Sequence, residues 1–97
     1  MMNVTITDPV QISLHSMSDE TRRRVTAWFE YLKNWDTDDF LRENSRKLPK
    51  EGNVYLLETY TEFLIFFSVE DKVISILDVA RRETLEMFRE AMARQSS

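Results

Sequence analysis

The pattern of apolar and polar positions divides the chain into a helical first half and a strand-rich second half. Near the N-terminus, "NVTI" alternates weakly and stops at Asp8-Pro9, which predicts a short edge strand. Ser18 is a suitable N-cap, and two acidic residues follow it in the first helical turn. The helix that begins there has a single apolar face, formed by Val25, Trp28, Phe29 and Leu32.

A second, shorter helix is predicted from about Asp38 to Lys47, after a cap signal at Asp36 or Thr37. Pro49 and the only glycine, Gly52, end it. The two helices would form a helical hairpin.

The second half of the chain predicts three strands and a closing helix. The strands are "NVYLLET", "EFLIFFSV" and "KVISILDV", and the nearly continuous apolar run Phe63–Phe67 indicates a central strand covered on both faces. The two-residue break Glu70-Asp71 predicts an antiparallel hairpin. A closing helix of about Glu83 to Ala93 would be apolar at Leu85, Phe88 and Met92.

The order β-α-α-β-β-β-α predicts an α+β fold. An N-terminal strand and a helical hairpin would pack on an antiparallel sheet of three to four strands, with a C-terminal helix. A length of 97 residues predicts one domain, residues 1–97. There is no apolar run of 18 residues, no secretory signal and no cysteine, so we expect a cytoplasmic protein without a membrane partner.

The net charge of −4 is unevenly distributed. Residues 22–50 contain eight cations and five acidic residues, whereas residues 51–80 contain one cation, Lys72, and six acidic residues. A nucleic-acid-binding face would therefore be local. Its candidate cations are Arg22, Arg23, Arg24, Arg46, Lys47 and Lys50. Solvated helix faces are the better explanation of these cations, and we rank this hypothesis last.

The sequence does not support most kinds of catalytic site. The one histidine, His15, has no spacing that suggests a triad, and we interpret it as a loop residue. Asp36, Asp38 and Asp39 lack the glycine and closing glutamate of a calcium loop, so helix capping explains them better. A single glycine excludes a phosphate-binding glycine loop, and we expect no metal or other cofactor.

The last third of the chain has a more specific pattern. The run "EFLIFFSVEDKVISILDVARRETLEMF" resembles the C-terminal part of RelE/ParE superfamily toxins, which occur in bacterial type II toxin–antitoxin systems. These toxins typically have Asp-Lys-Val before an apolar strand, then a basic residue followed by Arg-Glu, and an aromatic residue in the last helix. The predicted order of helices and strands also fits this superfamily.

RelE-like members cleave mRNA in the ribosomal A site, where a 2′-hydroxyl attacks the next phosphate and arginines stabilise the developing charge. The resemblance implies that Arg82 and Arg81 are the catalytic residues. The superfamily's strand arginine falls on Leu64, and the tyrosine of its closing helix falls on Phe88. The resemblance therefore implies an endoribonuclease of altered or weak activity.

Four further side chains are predicted to bind the substrate of such an activity. Phe88 can stack on a base, and the other three are the cations Lys72, Arg46 and Lys47.

The resemblance leaves several functions open. A growth-inhibiting toxin would be held by a cognate antitoxin, a class of protein that is usually partly disordered and folds on the toxin. Its target would be the ribosome and mRNA or, as in ParE-like members, DNA gyrase. A non-catalytic protein-binding module on the same fold is the alternative, suggested by Leu64, Phe88 and the acidic residues 51–80.

Overall fold

The computed structural model describes residues 1–49, 52–59 and 61–84. Its elements are β1 (Asn3–Ile6), α1 (Asp8–His15), α2 (Asp19–Leu32), α3 (Asp39–Glu43), β2 (Ser45–Lys47), β3 (Val54–Glu58), β4 (Phe63–Glu70) and β5 (Val73–Arg81). One five-stranded sheet has the order β1-β5-β4-β3-β2. The pair β1–β5 is parallel, and the other three pairs are antiparallel. A mainly antiparallel sheet whose helices come before the strands β3, β4 and β5 confirms the predicted α+β class.

Helix α2 agrees with the sequence prediction. The Ser18 hydroxyl accepts a hydrogen bond from the Thr21 amide at 3.2 Å, so it satisfies one of the free N–H groups at the helix start. The side chains of Val25, Phe29 and Leu32 are buried, as the helical spacing of the apolar residues indicated.

Helix α1 was not predicted. Thr7 is its N-cap residue and Pro9 lies in its first turn, where proline has no intrahelical hydrogen bond to lose. Val10 and Leu14, four residues apart, bury the inner side of the helix. The interpretation of His15 as a loop residue was wrong, because His15 is the last residue of this helix.

Helix α3 is shorter than predicted. It ends at Glu43, and Ser45–Lys47 forms β2, an edge strand paired with β3. The Glu58 amide donates to the Asn44 carbonyl at 3.1 Å and continues this pairing to the end of the helix. Within the described residues, the sheet thus has five strands rather than three to four. Arg82–Thr84 has helical backbone after β5, and the rest of the predicted closing helix lies outside the described residues.

The core lies between the helices and one face of the sheet, which we call the first face. Helical side chains such as Val10, Phe29 and Leu41 form one cluster with strand residues such as Ile65 and Phe67. Leu56 and Leu64 are also buried, but they do not belong to this cluster. Because neighbouring strand residues point to opposite faces, these two leucines lie on the second face of the sheet.

Candidate functional site

Arg81 and Arg82 lie at the end of β5, beside the start of β4. Arg81 pairs with Phe63 across the antiparallel ladder, and the Arg82 amide donates to the Glu62 carbonyl at 2.8 Å. Both arginines line a cleft of about 230 Å³ together with Glu62 and Glu83. The structure therefore brings the two predicted catalytic residues to one cleft.

The Arg82 side chain has a partner within the protein. Its guanidinium donates a hydrogen bond to the backbone carbonyl of Thr59 at 3.0 Å and spans 23 positions of sequence. The side chain is half-buried. Arg82 thus links the end of β5 to the residue that follows β3.

Thr59 is itself held in place by a local network. Its side chain is 2% exposed, and its hydroxyl lies 2.6 Å from the Phe63 carbonyl, to which it donates. The same hydroxyl accepts from the Thr61 amide at 3.3 Å, and the Thr61 hydroxyl accepts from the Phe63 amide at 3.2 Å. This network shapes the β3–β4 connection, which presents the Thr59 carbonyl to Arg82.

Arg81 contacts an aromatic ring instead. Its guanidinium carbon lies 5.8 Å from the centre of the Phe63 ring, within the range of a cation–π contact. Phe63 also borders a larger cleft of about 340 Å³, which is lined by Thr21, Arg24, Thr61 and Glu62. Arg81 of β5 thus contacts the Phe63 ring, and Arg24 of α2 lines the same cleft as Phe63.

Carboxylates reduce the positive potential of these clefts. Glu62 lines both clefts and Glu83 lines the smaller one. Arg24 forms an ion pair with Glu20 at 2.7 Å. The two arginines at the end of β5 are therefore matched by two acidic side chains, which weakens the attraction of phosphate.

The predicted substrate-binding residues do not gather around these arginines. Lys72 precedes β5, whose nine residues separate it from Arg81 by roughly 25–30 Å. Arg46 and Lys47 lie on β2, which is three strand spacings from β5, or roughly 14 Å. Phe88 lies outside the described residues.

The second face of the sheet is apolar at its centre and acidic around it. The cross-strand pairs Leu56–Phe66 and Leu64–Ala80 form the apolar centre. Glu58 pairs with Leu64, and Asp78 pairs with Phe66. Leu64, on which the resemblance places the superfamily's strand arginine, is 2% exposed.

Arg46 is the cation that β2 contributes beside this centre. It pairs with Leu56 across the ladder, and its guanidinium lies 3.7 Å from the Glu58 carboxylate. Lys47 pairs with Tyr55 on the first face, so the two neighbouring cations point to opposite sides of the sheet.

A group of aromatic side chains on α2 and α3 was not predicted as a functional feature. Trp28, Tyr31 and Phe40 contact one another, with ring centres 5.8 to 6.5 Å apart. Tyr31 is 37% exposed, and its hydroxyl donates to the Asp38 carboxylate at 2.7 Å. That hydrogen bond raises the pKa of Tyr31 and lowers the pKa of Asp38.

The sequence pattern assigns two of these residues other roles: Trp28 belongs to the apolar face of a helix, and Asp38 is explained by helix capping. Asp38 does cap α3, since its carboxylate accepts from the Phe40 amide at 2.9 Å. Sequence spacing could not show that the same carboxylate also binds Tyr31.

Neither a membrane-spanning helix nor a metal-binding group occurs in the described part of the chain. No described helix is long and apolar enough to cross a bilayer. Within residues 1–49, 52–59 and 61–84, no three histidine, aspartate or glutamate side chains are grouped so that they could hold a metal ion.

The fold is similar to two solved toxin–antitoxin structures. The archaeal RelE–RelB complex from Pyrococcus horikoshii OT3 contains a chain that is 26% identical, with a TM-score of 0.65, over 84% of this chain and 94% of that one. The RelBE2 toxin–antitoxin complex from Mycobacterium tuberculosis contains a chain that is 17% identical, with a TM-score of 0.59, over 84% and 98%.

No protein-family model matches the sequence, and no curated protein matches it significantly. The structural similarity nevertheless covers most of both chains, and it agrees with the order of strands and helices described above. The chain therefore has a RelE-like toxin fold.

Proposed function

We propose that this protein is the toxin component of a type II toxin–antitoxin system and that a cognate antitoxin protein holds it. The observation that carries the proposal is the similarity to the toxin–antitoxin complex from P. horikoshii, which extends over 84% of this chain. Either target class, the ribosome with its mRNA or DNA gyrase, would place the protein in the cytoplasm.

Within this role, we propose a ribosome-dependent mRNA interferase of weak activity. Arg81 and Arg82 supply two cations at one cleft, which supports stabilisation of a phosphate in the transition state. Three features lower the activity we expect. Arg82 is bound to the Thr59 carbonyl, Glu62 and Glu83 line the same cleft, and Leu64 replaces a cation on the second face.

A protein target is the second candidate, and the second face of the sheet favours it. On this face Asp78 is exposed and Glu58 is half-buried, whereas Leu56 and Leu64 are buried. The acidic side chains repel an RNA backbone, so this face is better suited to a protein than to RNA. A gyrase inhibitor and a non-catalytic binding module both fall in this class.

Inducible expression tests the toxin role. The chain is expressed alone and together with the product of the adjacent small reading frame. We expect growth arrest in the first case, and rescue with a stable complex in the second. Unchanged growth together with no complex would overturn the proposed function.

Mapping of mRNA ends then separates the two target classes. Arg81→Ala should lower cleavage at least about tenfold, as expected for a cation that stabilises the transition state. Lys33→Ala, at the C-cap of α2, removes one cation that lines neither cleft and should leave cleavage unchanged. If growth stops without mRNA cleavage and the protein abolishes DNA supercoiling by gyrase, the target is gyrase.

A further inference from the structure

The exposed end of the aromatic group on α2 forms a small apolar cleft. Its volume is about 170 Å³, and among the described residues Ala27, Trp28 and Tyr31 line it. Ala27 is exposed and has only a methyl group, so the two neighbouring rings remain accessible from that side. Tyr31 is exposed and Trp28 is half-buried, and accessible tryptophan and tyrosine side chains are typical of protein interfaces.

The electrostatic environment of this cleft differs between its two ends. Asp38 lies at one end, where its carboxylate accepts the Tyr31 hydrogen bond at 2.7 Å and stays negative. Arg23 lies eight residues before Tyr31 on the same helix, roughly 12 Å away, and forms no ion pair among the described residues. Other charges near the cleft are neutralised in pairs: Arg24 with Glu20, Lys33 with Glu30 and Arg42 with Asp39.

An aromatic face beside a carboxylate attracts a cation. The faces of Trp and Tyr rings carry negative charge density, and a lysine or arginine side chain placed over them is bound by cation–π attraction. At the Asp38 end, the carboxylate adds a direct Coulomb attraction. At the Arg23 end, a second cation would be repelled.

We propose that this surface, formed by Ala27, Trp28 and Tyr31 with Asp38 at its border, binds a basic amphipathic segment of the antitoxin. The segment places a lysine or arginine over the aromatic rings toward Asp38 and covers Ala27 with apolar side chains. This inference rests on the proposed function and adds the chemistry of the partner and its place of contact.

Introducing a positive or a negative side chain at Ala27, at the centre of the surface, tests this inference. The complex with the product of the adjacent reading frame is assembled with the unmodified chain, Ala27→Lys and Ala27→Glu, and Kd is measured. Both side chains are long and suit an exposed helix position. We expect Ala27→Lys to raise Kd about tenfold or more and Ala27→Glu to change it less than about threefold.

A second pair of variants tests the carboxylate. Asp38→Asn keeps an oxygen that can cap α3 but removes the charge, and it should raise Kd about threefold or more. Asp71→Asn makes the same chemical change in the β4–β5 turn, at a φ of 54° that asparagine tolerates, and should leave Kd unchanged.

The other possible results distinguish a failure of this inference from a failure of the proposed function. Equal weakening by Ala27→Lys and Ala27→Glu, or no effect of either, would overturn the inference while the complex itself supports the proposed function. A dimer of the chain alone that Ala27→Lys dissociates would assign the surface to a second copy. No complex with the unmodified chain would overturn the proposed function and this inference with it.

Discussion

The Arg82 guanidinium donates a hydrogen bond to the carbonyl oxygen of Thr59 at 3.0 Å and so connects the end of β5 with the end of β3. An arginine at the place expected for a catalytic cation therefore also has a structural role. Loss of activity on its removal would have two causes, and stability measurements are needed to separate them.

Arg82→Ala should lower the free energy of unfolding by about 1–2 kcal/mol, because a half-buried hydrogen bond from a charged donor is lost. Arg81→Ala removes an exposed cation–π contact and should cost about 0.5 kcal/mol. Urea unfolding of both variants measures the difference. Equal costs would contradict the structural role of Arg82.

Thr59→Val should cost about 1–3 kcal/mol, since the buried Phe63 carbonyl and the Thr61 amide lose the hydroxyl that binds them. Thr59→Ser is the matched control because it keeps the hydroxyl and loses only a methyl group, at about 1 kcal/mol or less. Urea unfolding should rank valine below serine in stability. The opposite order would mean that the methyl group matters more than the hydroxyl.

Leu64→Arg should destabilise the protein by about 3 kcal/mol or more, because it places a guanidinium at a position that is only 2% exposed. Leu64→Met keeps an apolar side chain of similar volume and should cost less than about 1.5 kcal/mol. Thermal or urea unfolding compares them. A stable Leu64→Arg variant would show that the second face accepts the superfamily's arginine.

Tyr31→Phe should raise the pKa of Asp38 toward its usual value of 3.8, since the Tyr31 hydrogen bond is the main cause of the lowered pKa. A carboxylate whose pKa is lower in the folded state adds stability above the unfolded value. That stability is lost as pH falls through the lower folded value. Tyr31→Phe should therefore reduce the dependence of stability on pH below about 4.

NMR titration of the Asp38 carboxyl carbon checks this directly. Tyr55→Phe is a suitable control, because Tyr55 belongs to a different aromatic group with Trp35 and Phe67. An Asp38 pKa that is the same in the unmodified chain and in Tyr31→Phe would contradict the hydrogen bond.

Elements with local signals were predicted well. Ser18 caps α2, the apolar spacing of Val25 and Phe29 places them in the core, and β3, β4 and β5 follow the apolar runs of the second half. In each case the signal lies within one turn or one strand, so no knowledge of the neighbours was needed. The RelE-like fold could be inferred because its pattern runs along consecutive residues from Glu62 to Phe88.

Elements that depend on a partner were missed. Ser45–Lys47 has a helical context in sequence and becomes a strand because β3 offers it an edge. Asp8-Pro9 can stop a strand or start a helix, and the burial of Val10 and Leu14 against the sheet favours the helix. In both cases, packing against neighbouring elements decides between helix and strand, and the local sequence pattern does not show that packing.

Some features of the candidate site likewise follow from the sequence, and others depend on the tertiary structure. The sequence by itself determined the charge balance, the apolar runs and the arrival of Arg81 and Arg82 directly after an apolar strand. Only the tertiary structure decided that Arg82 binds the Thr59 carbonyl, that Lys72 lies at the far end of the sheet, and that Tyr31 meets Asp38. Those relationships depend on strand register and helix packing, which bring together side chains that have no fixed spacing along the chain.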